Sequence, residues 1–203
     1  MNIDILVFNG VDEVDAIGPF EVFSNASFGA KDLQTRLVTL GEPTEIVGSS
    51  GLRFQPHAAW KPGEADILVV PGGGWGTKSN VGVYGEVQRG QWNDPLQLAR
   101  RTTGLIAGVC TGTLLLAAAG LVTGRRAITH RSAIDDLRDF GVEIVEEKVV
   151  DDGDLVTCGG VTSGFDLAYW IVEREFGEGL ANAIAGAMEY QRTKPAIQPD
   201  QVP

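Results

Sequence analysis

Cysteine and histidine are almost missing from this chain, with two of each in 203 residues. Two cysteines build no disulfide framework, so a reducing cytoplasm is the expected setting. Neither a metal nor a cofactor is expected. Basic residues are also scarce, 16 Lys and Arg against 27 Asp and Glu, for a formal charge of −11. Nucleic acid and an anionic membrane surface both demand the opposite sign, and neither is an expected partner. No apolar run approaches the roughly 20 residues of a transmembrane helix. The opening MNIDILVFNGVDEVD has neither the basic start nor the apolar stretch of a signal peptide. These absences exclude two kinds of macromolecular partner and leave room for a small-molecule substrate.

Glycine is the residue in excess, with 27. Several close apolar runs (Gly72-Gly73-Gly74, Gly159-Gly160), the mark of functional loops. Short apolar stretches rich in β-branched residues predict strands at 3–8, 37–40, 67–70, 105–109, 127–129, 143–145, 149–150 and 155–157. Helical patterns lie between them, at 95–101, 113–119, 132–140, 165–176 and 178–190. Pro19 suits the first turn of a further helix running through Phe23. Residues 45–58, with the turn Gly48-Ser49-Ser50-Gly51, read as a side hairpin. Continuous apolar strands need cover on both faces, which predicts an α/β fold with a mostly parallel sheet between helix layers. Residues 1–190 are expected to form one domain. Residues 191–203, with three prolines, read as an extended or disordered tail.

LIAGVCTGTLLLAAAG is the most informative segment. A strand ends at Val109, Cys110 follows, and a helix begins at once, with Gly108 and Gly112 placed two residues either side. This is the layout of a nucleophile elbow, which exposes a thiol at the carboxyl edge of a sheet. A helix N-terminus favours negative charge, so the thiol pKa is expected to fall below about 8.5. Cys158, inside a strand pattern, reads as an inert core residue. Pro71-Gly72-Gly73-Gly74 ends another strand at the same edge, and its backbone N–H groups are candidate donors to a developing charge.

A nucleophilic thiol needs an acid or base partner. Of the two histidines, His57 sits in the side hairpin and reads as structural, whereas His130 follows a strand end within reach of the elbow. The acids of the first loop are Asp12, Glu13, Asp15 and Glu21. Asp15 precedes Ala16-Ile17 and is expected to point into the sheet edge, leaving Asp12 and Glu13 in solvent. A carboxylate beside a thiolate is disfavoured by like charge, so a protonated Asp15 donating to a Cys110 thiolate is the expected resting pair.

Together DxxGPxEVF at Asp15–Phe23, VPGG at Val70–Gly73, GVCTG at Gly108–Gly112, Thr129-His130 and GGVTSGFD at Gly159–Asp166 resemble the ThiJ/PfpI superfamily. That resemblance implies a flavodoxin-like α/β/α sandwich with a glutamine amidotransferase-like fold, usually homodimeric. Thr111 stands where the protease-like members carry histidine, and Asp15 where the glyoxalase and deglycase-like members carry glutamate. Asp15 with Cys-Thr-Gly is most similar to the isonitrile hydratase branch. The resemblance then implies Cys110 as nucleophile and Asp15 as general acid/base. Thr111, Gly72, Gly73, Gly160, Val161 and His130 would border the substrate. The segment QRTKPAIQPDQVP departs from that branch, which is rich in Pro and Phe there. Related domains also open transcription regulators that continue into a basic helix-turn-helix, a continuation not seen here. Activity on small reactive aldehydes, and a redox-sensing thiol oxidised to sulfinate, are the alternative readings.

Overall fold

A computed structural model describes residues 1–193. The elements begin with β1 (Asn2–Leu6), α1 (Glu13–Ala26), β2 (Gln34–Thr39) and the short strands β3 (Ile46–Val47), β4 (Arg53–Phe54) and β5 (Ala58–Ala59). Next come β6 (Ile67–Val70), α2 (Val83–Arg89), α3 (Asn93–Arg100), β7 (Leu105–Val109) and α4 (Gly112–Ala118). The chain continues through β8 (Arg126–Ala127), α5 (Ile134–Asp139), β9 (Glu143–Ile144), β10 (Val149–Asp151) and β11 (Leu155–Cys158). Helices α6 (Ser163–Phe176) and α7 (Glu178–Ala187) close it. The tail reading falls on residues 194–203, outside the described residues. Just before them, Thr193 donates its N–H to Asp166 at 2.8 Å.

Among the described residues the main sheet has seven strands, in the order β10-β11-β7-β6-β1-β2-β5. Every neighbouring pair is parallel except β10 and β11. Strands β6, β7 and β11 are buried at every position, as their unbroken apolar sequences require. Helices α1, α6 and α7 pack on one another as one layer, and α4 gathers α2, α3 and α5 into the other. This is the α/β fold, a mostly parallel sheet between helix layers, that the alternating pattern predicts, in the flavodoxin-like arrangement that the family resemblance implies. Parallel strands end their apolar runs on one edge, so the β1–α1, β6–α2, β7–α4 and β11–α6 loops all converge there.

Three expectations need correction. Pro19 lies in the interior of α1, not in its first turn. It removes the donor that would reach the Asp15 carbonyl, and the helix survives because Pro19 packs beside Gly164 of α6. Ala58–Ala59 leaves the side hairpin and joins the main sheet beside β2. Helix α2 follows the glycine loop where no helix is predicted; its start is set by Gly82, whose φ of 97° only glycine adopts freely.

Asp151, at the end of β10, is fully buried. Its carboxylate accepts the Trp170 indole N–H at 2.6 Å and pairs with Arg174 at 3.0 Å, tying α6 to the edge of the sheet. Removing one partner of a buried ion pair strands the other without compensation. Asp151→Ala is therefore expected to lower stability by about 3–5 kcal/mol in urea denaturation. A loss below about 1 kcal/mol would show that surface pairing is all this contact provides.

Candidate active site

Cys110 occupies a sharp turn between β7 and α4 with φ of 54°, a left-handed conformation that costs a non-glycine residue about 1–3 kcal/mol. The turn is held from three sides. The Cys110 N–H is shared by the carbonyls of Cys158 and Gly159 at 3.2 and 3.1 Å. Its carbonyl accepts the Thr129 hydroxyl at 2.8 Å. A Cβ on Gly112 would lie 2.0 Å from the Val70 oxygen, so only glycine lets α4 start against the end of β6. Gly108 is likewise required, because a Cβ there would meet Thr113 Oγ1 at 2.7 Å.

Asp15, in the first turn of α1, is fully buried. Oδ2 accepts the Gly72 N–H at 3.1 Å. Oδ1 is buried with no hydrogen-bond partner among the described residues. Burial pushes the Asp15 carboxyl up to about 8, the negative charge of Asp12 adds to this, and the Cys110 thiol and Gly72 N–H pull against it. Burial also pushes the Cys110 thiol up to about 12, Asp15 pushes it further, and the N–H groups of Val161 and Thr111 partly offset both. The expected fall in thiol pKa is thus reversed. Desolvation and a neighbouring acid outweigh the short helix α4. The resting pair is a thiol beside a carboxylic acid, each holding its proton at neutral pH.

Asp12 and Glu13 are not idle in solvent. Asp12 caps α1, accepting the Val14 N–H at 3.1 Å. Glu13 accepts the Ser50 N–H at 2.8 Å and the Leu52 N–H at 3.2 Å, which clamps the side hairpin and lowers its pKa despite partial burial. The glycine loop also plays a different part from the expected one. Gly72 spends its N–H on Asp15, and Gly73 donates to Thr111 Oγ1 at 2.9 Å. Both N–H groups position site residues rather than standing free. A Cβ on Gly72 would press on Thr111 and lie 2.9 Å from Asp15 Oδ2, which explains the glycine.

Val161 sits at φ of 32°, an outlier for a β-branched residue, and its backbone N–H works to lower the Cys110 thiol pKa. Gly160 carries the His130 ring: a Cβ there would fall 2.4 Å from Cδ2. Nδ1 of His130 bonds the Ser132 N–H and hydroxyl, at 3.2 and 2.8 Å, and caps a single 3₁₀ turn. The histidine therefore reaches the wall of the site through Gly160 and has no hydrogen bond to Cys110 or Asp15. His130, Gly160 and Val161 border an open cavity of about 430 Å³ with Ile128, Ile134 and Glu146. Its apolar members went unmarked in the sequence because only tertiary packing brings 128–134 against 146 and 160. His57 is structural as expected: Nδ1 accepts the Leu37 N–H at 2.9 Å and the ring stacks on Phe20.

A parallel sandwich with a strained cysteine elbow and a buried acid beside it defines a small class of flavodoxin-like α/β proteins. The chain belongs to the DJ-1/PfpI family, whose sequence profile matches residues 1–174. It is 31% identical to an isonitrile hydratase of Pseudomonas putida, over all of this chain and 85% of the relative. A glutathione-independent glyoxalase of Caenorhabditis elegans is 29% identical over 71% of this chain and 75% of its own length. A ThiJ/PfpI family protein from Pseudomonas syringae superposes with a TM-score of 0.84 at 26% identity, over 97% of this chain and 77% of that one. The family includes enzymes of more than one activity.

Cys110 retains 5% exposure and Cys158 none. Iodoacetamide should therefore label Cys110 first, at a rate that climbs into the alkaline range with no plateau near neutrality. In Asp15→Asn the curve should move to lower pH, because the carboxylate that opposes the thiolate is gone. Earlier labelling of Cys158, or a neutral-pH plateau in the wild type, would contradict this geometry.

Proposed function

We propose that the protein hydrates an isonitrile, R–NC, to the N-substituted formamide, with Cys110 as nucleophile and Asp15 as general acid/base. One observation carries the reading: the bare, buried Oδ1 of a carboxyl that keeps its proton up to about pH 8, set beside a thiol that keeps its own. A terminal isonitrile carbon is both nucleophile and electrophile, and needs a proton and a sulfur on the same atom. Asp15 gives its proton to that carbon as the sulfur attacks, and the S–H proton replaces it on the carboxyl. The product of this step is the thioimidate R–N=CH–S–Cys110, with Asp15 protonated again.

Water then adds to the thioimidate carbon. Asp15 protonates the nitrogen and takes a proton from the water. Collapse of R–NH–CH(OH)–S–Cys110 breaks the C–S bond, and the hydroxyl proton returns to sulfur as the formamide R–NH–CHO leaves. No oxidant or cofactor enters the balance. Thr111 accepts the Gly73 N–H, which leaves its own hydroxyl proton to meet the substrate nitrogen. Gly72 and Gly73 hold the acid and this hydroxyl in place. Gly160, Val161 and His130 form the wall along which the R group lies. Aldehyde chemistry through a hemithioacetal is the second reading, supported by the glyoxalase relative. A redox-sensor role has less support, because oxidation favours a thiolate and burial here opposes one.

Incubation with an aryl isonitrile, and in parallel with methylglyoxal, should yield the formamide from the first. Turnover is expected to be level at neutral pH and to fall as pH rises through about 8, where Asp15 ionises and has no proton to give. Asp15→Asn should lower turnover by about 10²–10⁴-fold while the protein stays folded. Near wild-type turnover in that variant would sink the mechanism, and turnover of methylglyoxal alone would move the substrate assignment to aldehydes.

We further propose a cytoplasmic homodimer. The two free thiols suit a reducing compartment. An exposed Val14, with Ile17, Gly18, Phe165 and Met188, lines an apolar surface groove of the kind that self-association buries. Light scattering at micromolar concentration should give twice the 21.6 kDa chain mass, and a strict monomer would count against the assembly.

A further inference from the structure

At the opposite edge of the sheet from Cys110, where α3 ends and β11 begins, arginines gather in a chain whose overall charge is −11. Arg100, Arg101 and Arg125 line an open cleft of about 380 Å³, together with Gln97, Leu121 and Thr123. Arg125 is fixed by Asp152 through Nε at 2.5 Å and by Asp154 through Nη2 at 2.8 Å. Arg100 pairs with the other oxygen of Asp154. Arg126, behind them, shares Asp152 at 3.1 Å. These ion pairs set two carboxylates against three guanidiniums, and Arg101 adds a fourth positive charge beside them. Arg101 is exposed and has no ion pair among the described residues.

Two further details suit the cleft to an anion. The end of α4 faces it, and a helix C-terminus ordinarily presents carbonyl oxygens that repel negative charge. Here three of those oxygens are occupied: the Ala119 carbonyl accepts Gln97 Nε2 at 3.2 Å, Ala117 accepts the Gly120 N–H at 2.9 Å, and Leu116 accepts the Leu121 N–H at 3.0 Å. The carboxylates also hold Arg100 and Arg125 by selected nitrogens. Arg100 is held through Nη2 alone and Arg125 through Nε and Nη2, which leaves Nη1 of each without an acceptor among the described residues.

We infer that this arginine cleft is a binding site for a small phosphate-bearing molecule, separate from the Cys110 site. Guanidinium forks match phosphate oxygens two at a time, and the Thr123 hydroxyl and the Leu121 side chain are placed for the remainder of the molecule. The five residues of β7, at about 3.3 Å each, put on the order of 15 Å between the two sites, so the phosphate ligand is not the substrate of the cysteine.

Calorimetric titration of the full chain with inorganic pyrophosphate, at constant ionic strength, tests the assignment. Saturable binding of one equivalent per chain is expected. Arg101→Met should weaken it by about 10–100-fold, the effect of losing a hydrogen bond to a charged group. Arg101→Glu should abolish it. Because the Arg101 side chain makes no hydrogen bond or ion pair among the described residues, Arg101→Met keeps the wild-type urea midpoint, so its loss of binding is not a loss of fold. Heat that never saturates, or equal affinity in wild type and Arg101→Met, would overturn the proposal.

Discussion

A carboxyl group taken out of water gives up its charge unless the protein supplies compensating donors, and Asp15 receives a single backbone N–H. The rest of the sheet edge follows from that shortage. With Oδ1 bare, the acid keeps its proton, and the adjacent thiol keeps its own because a second buried anion would be worse placed than the first. The site therefore stores two protons next to two unsolvated heavy atoms. Chemistry that moves a proton and a sulfur onto one carbon draws on both at once. It separates no charge in an environment that would penalise separation.

Holding such a pair together takes unusual backbone geometry. Four loops meet at one point only because Gly112 lies against the Val70 carbonyl and Gly72 lies against Asp15 and Thr111. Cys110 and Val161 are both bent into the left-handed region, and neither is glycine. Their strain, on the order of 1–3 kcal/mol each, is offset by the shared bonds of the Cys110 N–H and by the fully buried strands on either side. The rigid part of the molecule and the strained part are thus the same part.

Much of this was legible in residue order. Unbroken apolar strands followed by glycine announced a parallel sheet, and Gly108-Val-Cys-Thr-Gly112 announced the elbow. The pairing of Asp15 with Cys110 rested on Ala16 and Ile17 turning one acid inward, and the fully buried carboxylate agrees. Three things were not legible. The direction of the thiol's shift depends on burial, which no local pattern reports, so a helix start argued for the wrong sign. The destinations of the Gly72 and Gly73 N–H groups lie 57 and 38 residues away in the chain. Pro19 reads as a helix start because proline usually is one; only the packing of α1 on α6 tolerates it mid-helix.

The rims of the sheet carry a consequence of another kind. Among the described residues one border is β5, only two residues long, and the other is β10, three residues long, running against the direction of β11 and ending in the buried carboxylate of Asp151. Neither offers a long, flat row of open amide groups to a passing chain. The apolar strands sit between two poor templates. Edge-to-edge pairing of one main sheet with another is disfavoured at both of these borders.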